Sequence, residues 1–176
     1  LVVALVAVLY SRLRLGRRAA GELRRVAQTD PVTGLANRRH MIDSIDQQIR
    51  RMRDGGRGFA LLMIDIDRFK SINDRFGHGV GDAALREVAR RLGSRLRGHD
   101  LLARWGGEEV LVLLPNTDRR GAEIVAENLR GMVAGEPMRQ GPLEIELRVS
   151  LGVCEYRDGM TVDECVNQAD EAMYQG

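Results

Sequence analysis

The sequence is almost devoid of lysine. Of its 27 basic residues 26 are arginine, and Lys70 is the exception. Composition by itself assigns that bias to a GC-rich genome. Cysteine is also scarce. Cys154 and Cys165 lack the paired spacing of a metal site, and 176 residues can bury a core without disulfides, so both read as reduced cytosolic thiols. Internal repeats and low-complexity tracts are missing, and 44% hydrophobic residues exclude a disordered or collagen-like chain. Excess charge is lacking over most of the length. The first 30 residues set six arginines against Glu22 and Asp30, whereas the other 146 carry 21 basic and 23 acidic side chains. The domain itself therefore has no basic excess, which excludes a general nucleic-acid surface. No apolar run reaches the ~20 residues that span a bilayer.

What is present begins with LVVALVAVLY (1–10), apolar throughout. Tyr10 and the arginines that follow fit the cytoplasmic exit of a membrane helix, and no small-residue cleavage site is seen. The reading is the C-terminal end of a truncated transmembrane helix over 1–10. A helical signalling stalk follows over 11–28, with Leu15, Ala19, Leu23, Val26 and Ala27 along one seam, stopped at Thr29-Asp30-Pro31. The globular domain is 29–176. This plan places the protein in the inner (cytoplasmic) membrane with the domain facing the cytoplasm.

Within the domain, Asn37 is an N-cap candidate for a helix to about Arg53. FALLMIDID (59–67) reads as a central strand, and SINDRFGHGVGD (71–82) as a stretch broken by three glycines. A helix is expected over about 81–97, its face formed by Ala84, Leu85, Val88, Ala89 and Leu92. Strands at 101–105 and 110–115 form a hairpin, a helix covers 118–134, residues 143–156 are one long strand or two pieces, and 161–175 is a last helix. This order implies an α+β fold with a central, mostly antiparallel sheet flanked by helices.

Two features carry chemistry. Asp65-Ile66-Asp67 ends an apolar strand, with the two acids on one face and Ile66 on the other. Gly106-Gly107-Glu108-Glu109 tips the hairpin, where the glycines allow positive φ and close approach of a ligand. If the strands are neighbours, three or four carboxylates converge, a set of hard oxygens suited to Mg²⁺ or Mn²⁺. Taken singly, each feature is more often a solvated turn or a helix cap; the combination is what points to a site.

Five ordered motifs, TDPVTGLANRR, MIDIDRFKSINDRFGHGVGD, RGHDLLARWGGEEV, RVSLGVCEY and ADEAMY, make the sequence resemble the GGDEF domain family of diguanylate cyclases over roughly residues 28–176. The resemblance implies a fold similar to class III nucleotidyl cyclases and polymerase palms. It implies condensation of two GTP into cyclic di-GMP and pyrophosphate, with two Mg²⁺ (or Mn²⁺) per active site. Asp65, Glu108 and Glu109 match the family's catalytic and metal-binding acids, and the Ile66 carbonyl joins the metal ligands. Asn73 and Asp82 match the pair that reads guanine. Phe69 and Lys70 match the turn that wraps the triphosphate, beside Gly106 and Gly107. Arg97 and Asp100 match an inhibitory RxxD site for the product. The resemblance also implies that a homodimer is needed for catalysis, with the stalk as the device that supplies it.

The pattern is departed from in three places. Val110 stands where Phe is usual and should be an inward strand residue. Asn128 stands near an Arg that completes the inhibitory site in many members. The family's Lys and Arg after ADEAMY are not reached before Gly176, so the C-terminus reads as truncated. Competing readings are a catalytically weak domain that binds GTP or cyclic di-GMP, a cyclase for another nucleotide, and a dimerisation domain. The last leaves the carboxylates unexplained.

Overall fold

A computed structural model describes residues 28–175. The expected membrane helix (1–10) and stalk (11–28, apart from Gln28) lie outside the described residues. Among the described residues no helix is long and apolar enough to cross a membrane.

The chain runs β1 (Ala36–Asn37), α1 (Arg38–Arg53), β2 (Phe59–Ile66), α2 (Phe69–Phe76), α3 (His78–Gly93), β3 (Leu101–Arg104), β4 (Glu109–Pro115), α4 (Arg119–Ala134), β5 (Met138–Gln140), β6 (Leu143–Ile145), β7 (Val149–Glu155) and α5 (Val162–Gln175). Five strands form the main sheet in the order β1-β3-β4-β2-β7, and β5 and β6 form a separate hairpin. All pairs in the main sheet are antiparallel except β1 with β3. The sheet is thus mixed and mostly antiparallel, as the order of elements implied.

β2 is apolar along nearly its whole length because both of its faces are covered. Ala60, Leu62, Ile64 and Ile66 pack with the helices α2, α3 and α4. Phe59, Leu61 and Met63 pack on the other side with α1 and α5. Each such buried side chain contributes about 1.5–3 kcal/mol relative to exposure. Val110 is buried in β4 on the first of these faces, so Val in place of Phe alters packing there and leaves the acids untouched.

Local chemistry sets the helix ends. The Asn37 side chain accepts from the His40 N–H at 3.0 Å, and Asp118 accepts from the Gly121 N–H at 2.8 Å, as N-caps do. Thr161 and Glu164 cap α5 reciprocally: the Thr161 N–H donates to the Glu164 carboxylate, and the Glu164 N–H donates to the Thr161 hydroxyl.

The stretch 71–82 departs from expectation. It is helical, because glycine does its work at one point: Gly77, at φ 84°, ends α2 and admits α3. α3 accordingly starts at His78 and stops at Gly93, four residues short of the expected end. Residues 143–156 are two strands of different sheets, β6 and β7.

Arg91 is the buried charged residue of the described core. It donates to the carbonyls of Val133 and Glu136, both at 2.6 Å, and to the Glu87 carboxylate at 2.8 Å, tying α3 to the end of α4. The arginine hydrogen bonds hold the Glu87 carboxyl down at about 2. A carboxyl depressed in the fold stabilises it above the ordinary value near 4.5, and that contribution is lost as the pH falls through about 2. Glu87→Gln should therefore cost about 1–2 kcal/mol at pH 7, the partly exposed pair being discounted for screening. The deficit should shrink at pH 3, and denaturant melts at both pH values check this.

Candidate active site

The site is built at one end of the sheet's centre. Asp65 on β2 lies opposite Glu109 on β4 and Ser150 on β7. Odd-numbered β2 residues face α1 and α5, so the Asp65 carboxylate emerges on that side, as does that of its partner Glu109. Burial pushes Asp65 up to about 6, and the charges of Glu108, Glu109, Asp67 and Asp170 add to it. Glu109 is also raised, first by burial, then by Asp170 and Glu108, with Arg38 opposing. Asp67, the other acid expected here, is turned to the strand edge: the Ser150 hydroxyl donates to its carboxylate at 2.8 Å, and its N–H donates to the Arg148 carbonyl.

The hairpin tip corrects the expectation for its glycines. Neither Gly106 nor Gly107 has positive φ. A Cβ on Gly106 would lie 2.5 Å from the Glu109 carboxylate, so the missing side chain makes room for an acid. Arg104 clamps the tip by donating to the carbonyls of Gly106 and Gly107, and its guanidinium pairs with Asp30 at 3.3 Å. Asp30 in turn accepts from the Thr33 N–H and hydroxyl, so the DPVT turn is bolted to the hairpin. Arg38, first residue of α1, lies 4.3 Å over the Trp105 ring.

The other expected residues flank this centre. Phe69 and Lys70 open α2 after Arg68, a left-handed residue (φ 56°) that leaves the helix start without a side-chain cap. Phe69 itself is buried in the core, so only its backbone is available. Asn73 lies in α2 and Asp82 in the second turn of α3. The N-cap position of α3 is held by Gly77, five residues before Asp82. A Cβ on Gly81 would run into the Asn73 side chain, so Asn73 of α2 packs on α3 next to Asp82. Arg97 and Asp100 close on each other, the Arg97 N–H donating to the Asp100 carboxylate at 2.8 Å. They line a groove of ≈ 410 Å³ together with Arg57, Asn116, Asp118 and Glu155. Asn128 lines a neighbouring groove with Arg95.

Sequence reasoning did not assign Asp170, Arg38 or the Asp30–Arg104 pair to the site. Asp170 stands in ADEAMY, over 100 residues from Asp65, and only the fold reveals its proximity. Oxygen donors from Asp65, Glu108, Glu109 and the Ile66 carbonyl suit a hard divalent cation, whose charge would relieve the mutual repulsion that raises Asp65 and Glu109. Among the described residues, no three His, Cys, Asp or Glu side chains are drawn into a cage able to hold an ion. The fit is therefore one of donor chemistry and position.

Residues 27–176 match the family described as diguanylate cyclase, GGDEF domain. The response regulator PleD of Caulobacter vibrioides is 42% identical over 153 residues, which is 85% of this chain and 34% of PleD. The diguanylate cyclase DgcP of Pseudomonas aeruginosa is 40% identical over 152 residues, 86% of this chain and 22% of DgcP. The chain thus spans about a third or less of these curated relatives. The coiled coil and GGDEF domain of DgcB from Caulobacter crescentus, in complex with c-di-GMP, matches with TM-score 0.88 at 29% identity, covering 97% of this chain and 91% of that one. As the family model spans nearly the whole chain, the chain belongs to the GGDEF domain family of diguanylate cyclases.

Proposed function

We propose that this chain condenses two GTP into cyclic di-GMP with release of pyrophosphate. The observation that carries the reading is the register of β2 on β4, which sets the acids Asp65 and Glu109 opposite one another beside Glu108. Relatives named diguanylate cyclases, and the relative solved with c-di-GMP, support it. In each half-reaction a ribose 3′-oxygen bonds to the α-phosphorus of the other GTP, the bond to pyrophosphate breaks, and the hydroxyl proton leaves to solvent.

Each part of this chain has a task in that scheme. Asp65, the Ile66 carbonyl, Glu108 and Glu109 would hold two Mg²⁺ (or Mn²⁺). When bound, such cations lower the cost of the negative charge that builds on the attacking and leaving oxygens. The free N–H groups at the start of α2 and the Lys70 ammonium meet the triphosphate. Asp82 accepts from the guanine N1–H and amino group, and Asn73 offers both a donor and an acceptor to that edge. Arg104 fixes the tip so that Glu108 and Glu109 stay in place. One domain holds one GTP, so two must meet face to face. A homodimer joined through the 11–28 stalk and anchored by a membrane helix would supply that encounter.

The Arg97–Asp100 groove is the proposed product-inhibition site, guanidinium to phosphate and carboxylate to guanine. Arg97→Ala should raise the cyclic di-GMP concentration for half-inhibition at least tenfold with the uninhibited rate unchanged. Unaltered inhibition removes the site from the scheme. The activity itself is tested by incubating the chain with GTP and Mg²⁺ and separating the products by chromatography. Cyclic di-GMP upholds the reading. Bound but unconverted GTP favours a binding module, and equal use of ATP removes the assignment of Asn73 and Asp82 to guanine.

A further inference from the structure

Three elements meet where the acids emerge. β2 brings Asp65, β4 brings Glu109, and α5 brings Asp170. The depth of α5 is set by Gly152 on β7. A Cβ there would fall on the backbone carbonyl of Ala169 and the N–H of Met173, so helix backbone rests on strand backbone with no side chain between. Asp170, next to Ala169, is thereby seated over the sheet end. Its Oδ1 is buried and has no hydrogen-bond partner. A carboxylate kept partly unsatisfied beside other carboxylates destabilises a fold, and a purely structural aspartate would be matched with donors. Gly152 pairs with Met63, two residues before Asp65 on the same face of β2, so Asp170 lies over the strand end from which that acid emerges.

We propose that Asp170 is a positioning residue of the cation site: seated by the bare backbone contact at Gly152, its fixed negative charge beside Asp65 and Glu109 raises the affinity of that pair for a divalent cation. The inference rests on the reading of Asp65 and Glu109 as cation ligands. It assigns to the far end of the chain a role in the electrostatics of the centre. Folding α5 onto β7 is then what completes the site's charge.

The test titrates the nucleotide-free chain with Mn²⁺ alone and follows free Mn²⁺ by electron paramagnetic resonance. Asp170→Asn keeps the shape and removes the charge. It should weaken Mn²⁺ binding about tenfold, the scale of groups that act behind metal ligands, while the cation-free melting temperature stays equal or rises. Glu127→Gln, an exposed carboxylate paired with Arg130 on α4, serves as the control and should bind as the unsubstituted chain does. Unchanged binding in Asp170→Asn, with binding weakened in Glu109→Gln, overturns the role of Asp170 alone. A lower cation-free melting temperature in Asp170→Asn also overturns it, because that marks a structural aspartate. Absence of Mn²⁺ binding in the unsubstituted chain overturns the cation-site reading itself, and this inference with it.

Discussion

Asp65→Asn should lower cyclic di-GMP formation by about a thousandfold or more, since on the proposed mechanism it removes a cation ligand, which forfeits several kcal/mol of charge stabilisation, and each 1.36 kcal/mol is tenfold in rate. The same substitution should make the cation-free protein more stable. The Asp65 carboxyl is raised to about 6 from an ordinary value near 3.8, first by burial and then by Glu108, Glu109, Asp67 and Asp170. An acid raised in the fold binds its proton more tightly there than in the unfolded chain, so stability falls as the pH rises from about 4 through about 6. Above that window the charged form is a standing cost, which Asn removes. In chelator, the unsubstituted chain should therefore gain stability between pH 7 and pH 5 relative to Asp65→Asn. Thermal melts at both pH values, beside a product assay, check the two halves together. A variant that is inactive and also less stable at pH 7 would place Asp65 among the structural residues.

The second large effect is on the fold. Gly152→Ala should destabilise by about 3 kcal/mol or more, the upper range for overpacking, because its Cβ would meet the backbone of α5 at Ala169 and Met173. For a domain of this size the melting temperature should drop by roughly 6–12 °C. No rotamer change relieves the clash; the helix must retreat from β7, carrying Asp170 with it. Gly131→Ala is the matched control. It lies within α4 with open space where its Cβ would go, and should gain about 0.5–1 kcal/mol from helix propensity. Equal melting temperatures for the two variants would show that α5 has room to spare. Gly81 contrasts with this: a Cβ there meets the end of the Asn73 side chain, which can swing aside, at the expense of the guanine contact proposed for it.

The sequence showed the site's acids because they sit at the ends of regular elements. FALLMIDID announces a buried strand by its apolar run, and Gly-Gly-Glu-Glu announces a hairpin tip by its position between two others. The N-cap Asn37 and, to within a residue, the bounds of α1 and α4 were equally legible, since each is set by residues a few positions apart. What escaped was set by distant neighbours. Gly106 looked like a backbone hinge, and its use is to make room for Glu109. The three glycines of 71–82 suggested a loop; two of them lie inside α3, where Gly81 is held by packing against Asn73. Val149–Glu155 could be separated from Leu143–Ile145 only by their partners, β2 and β5. Asp170 carried no local sign, because its meaning depends on Gly152 and on a helix docked from the other end of the chain.

β2 is hydrogen-bonded on both flanks from Ala60 to Asp65, to β4 and to β7. Its amide protons reach solvent only when β4 or β7 separates from it, so they should be among the late ones to exchange for deuterium. The amides of Gly107 and Glu108 at the hairpin tip lie outside the ladder and should exchange earlier. The two carboxylates are thus held by different means: Asp65 by a backbone ladder on both flanks, and Glu108 by a turn whose carbonyls are tied down through the Arg104 side chain. Loss of Arg104 should therefore loosen Glu108 and leave Asp65 where it is.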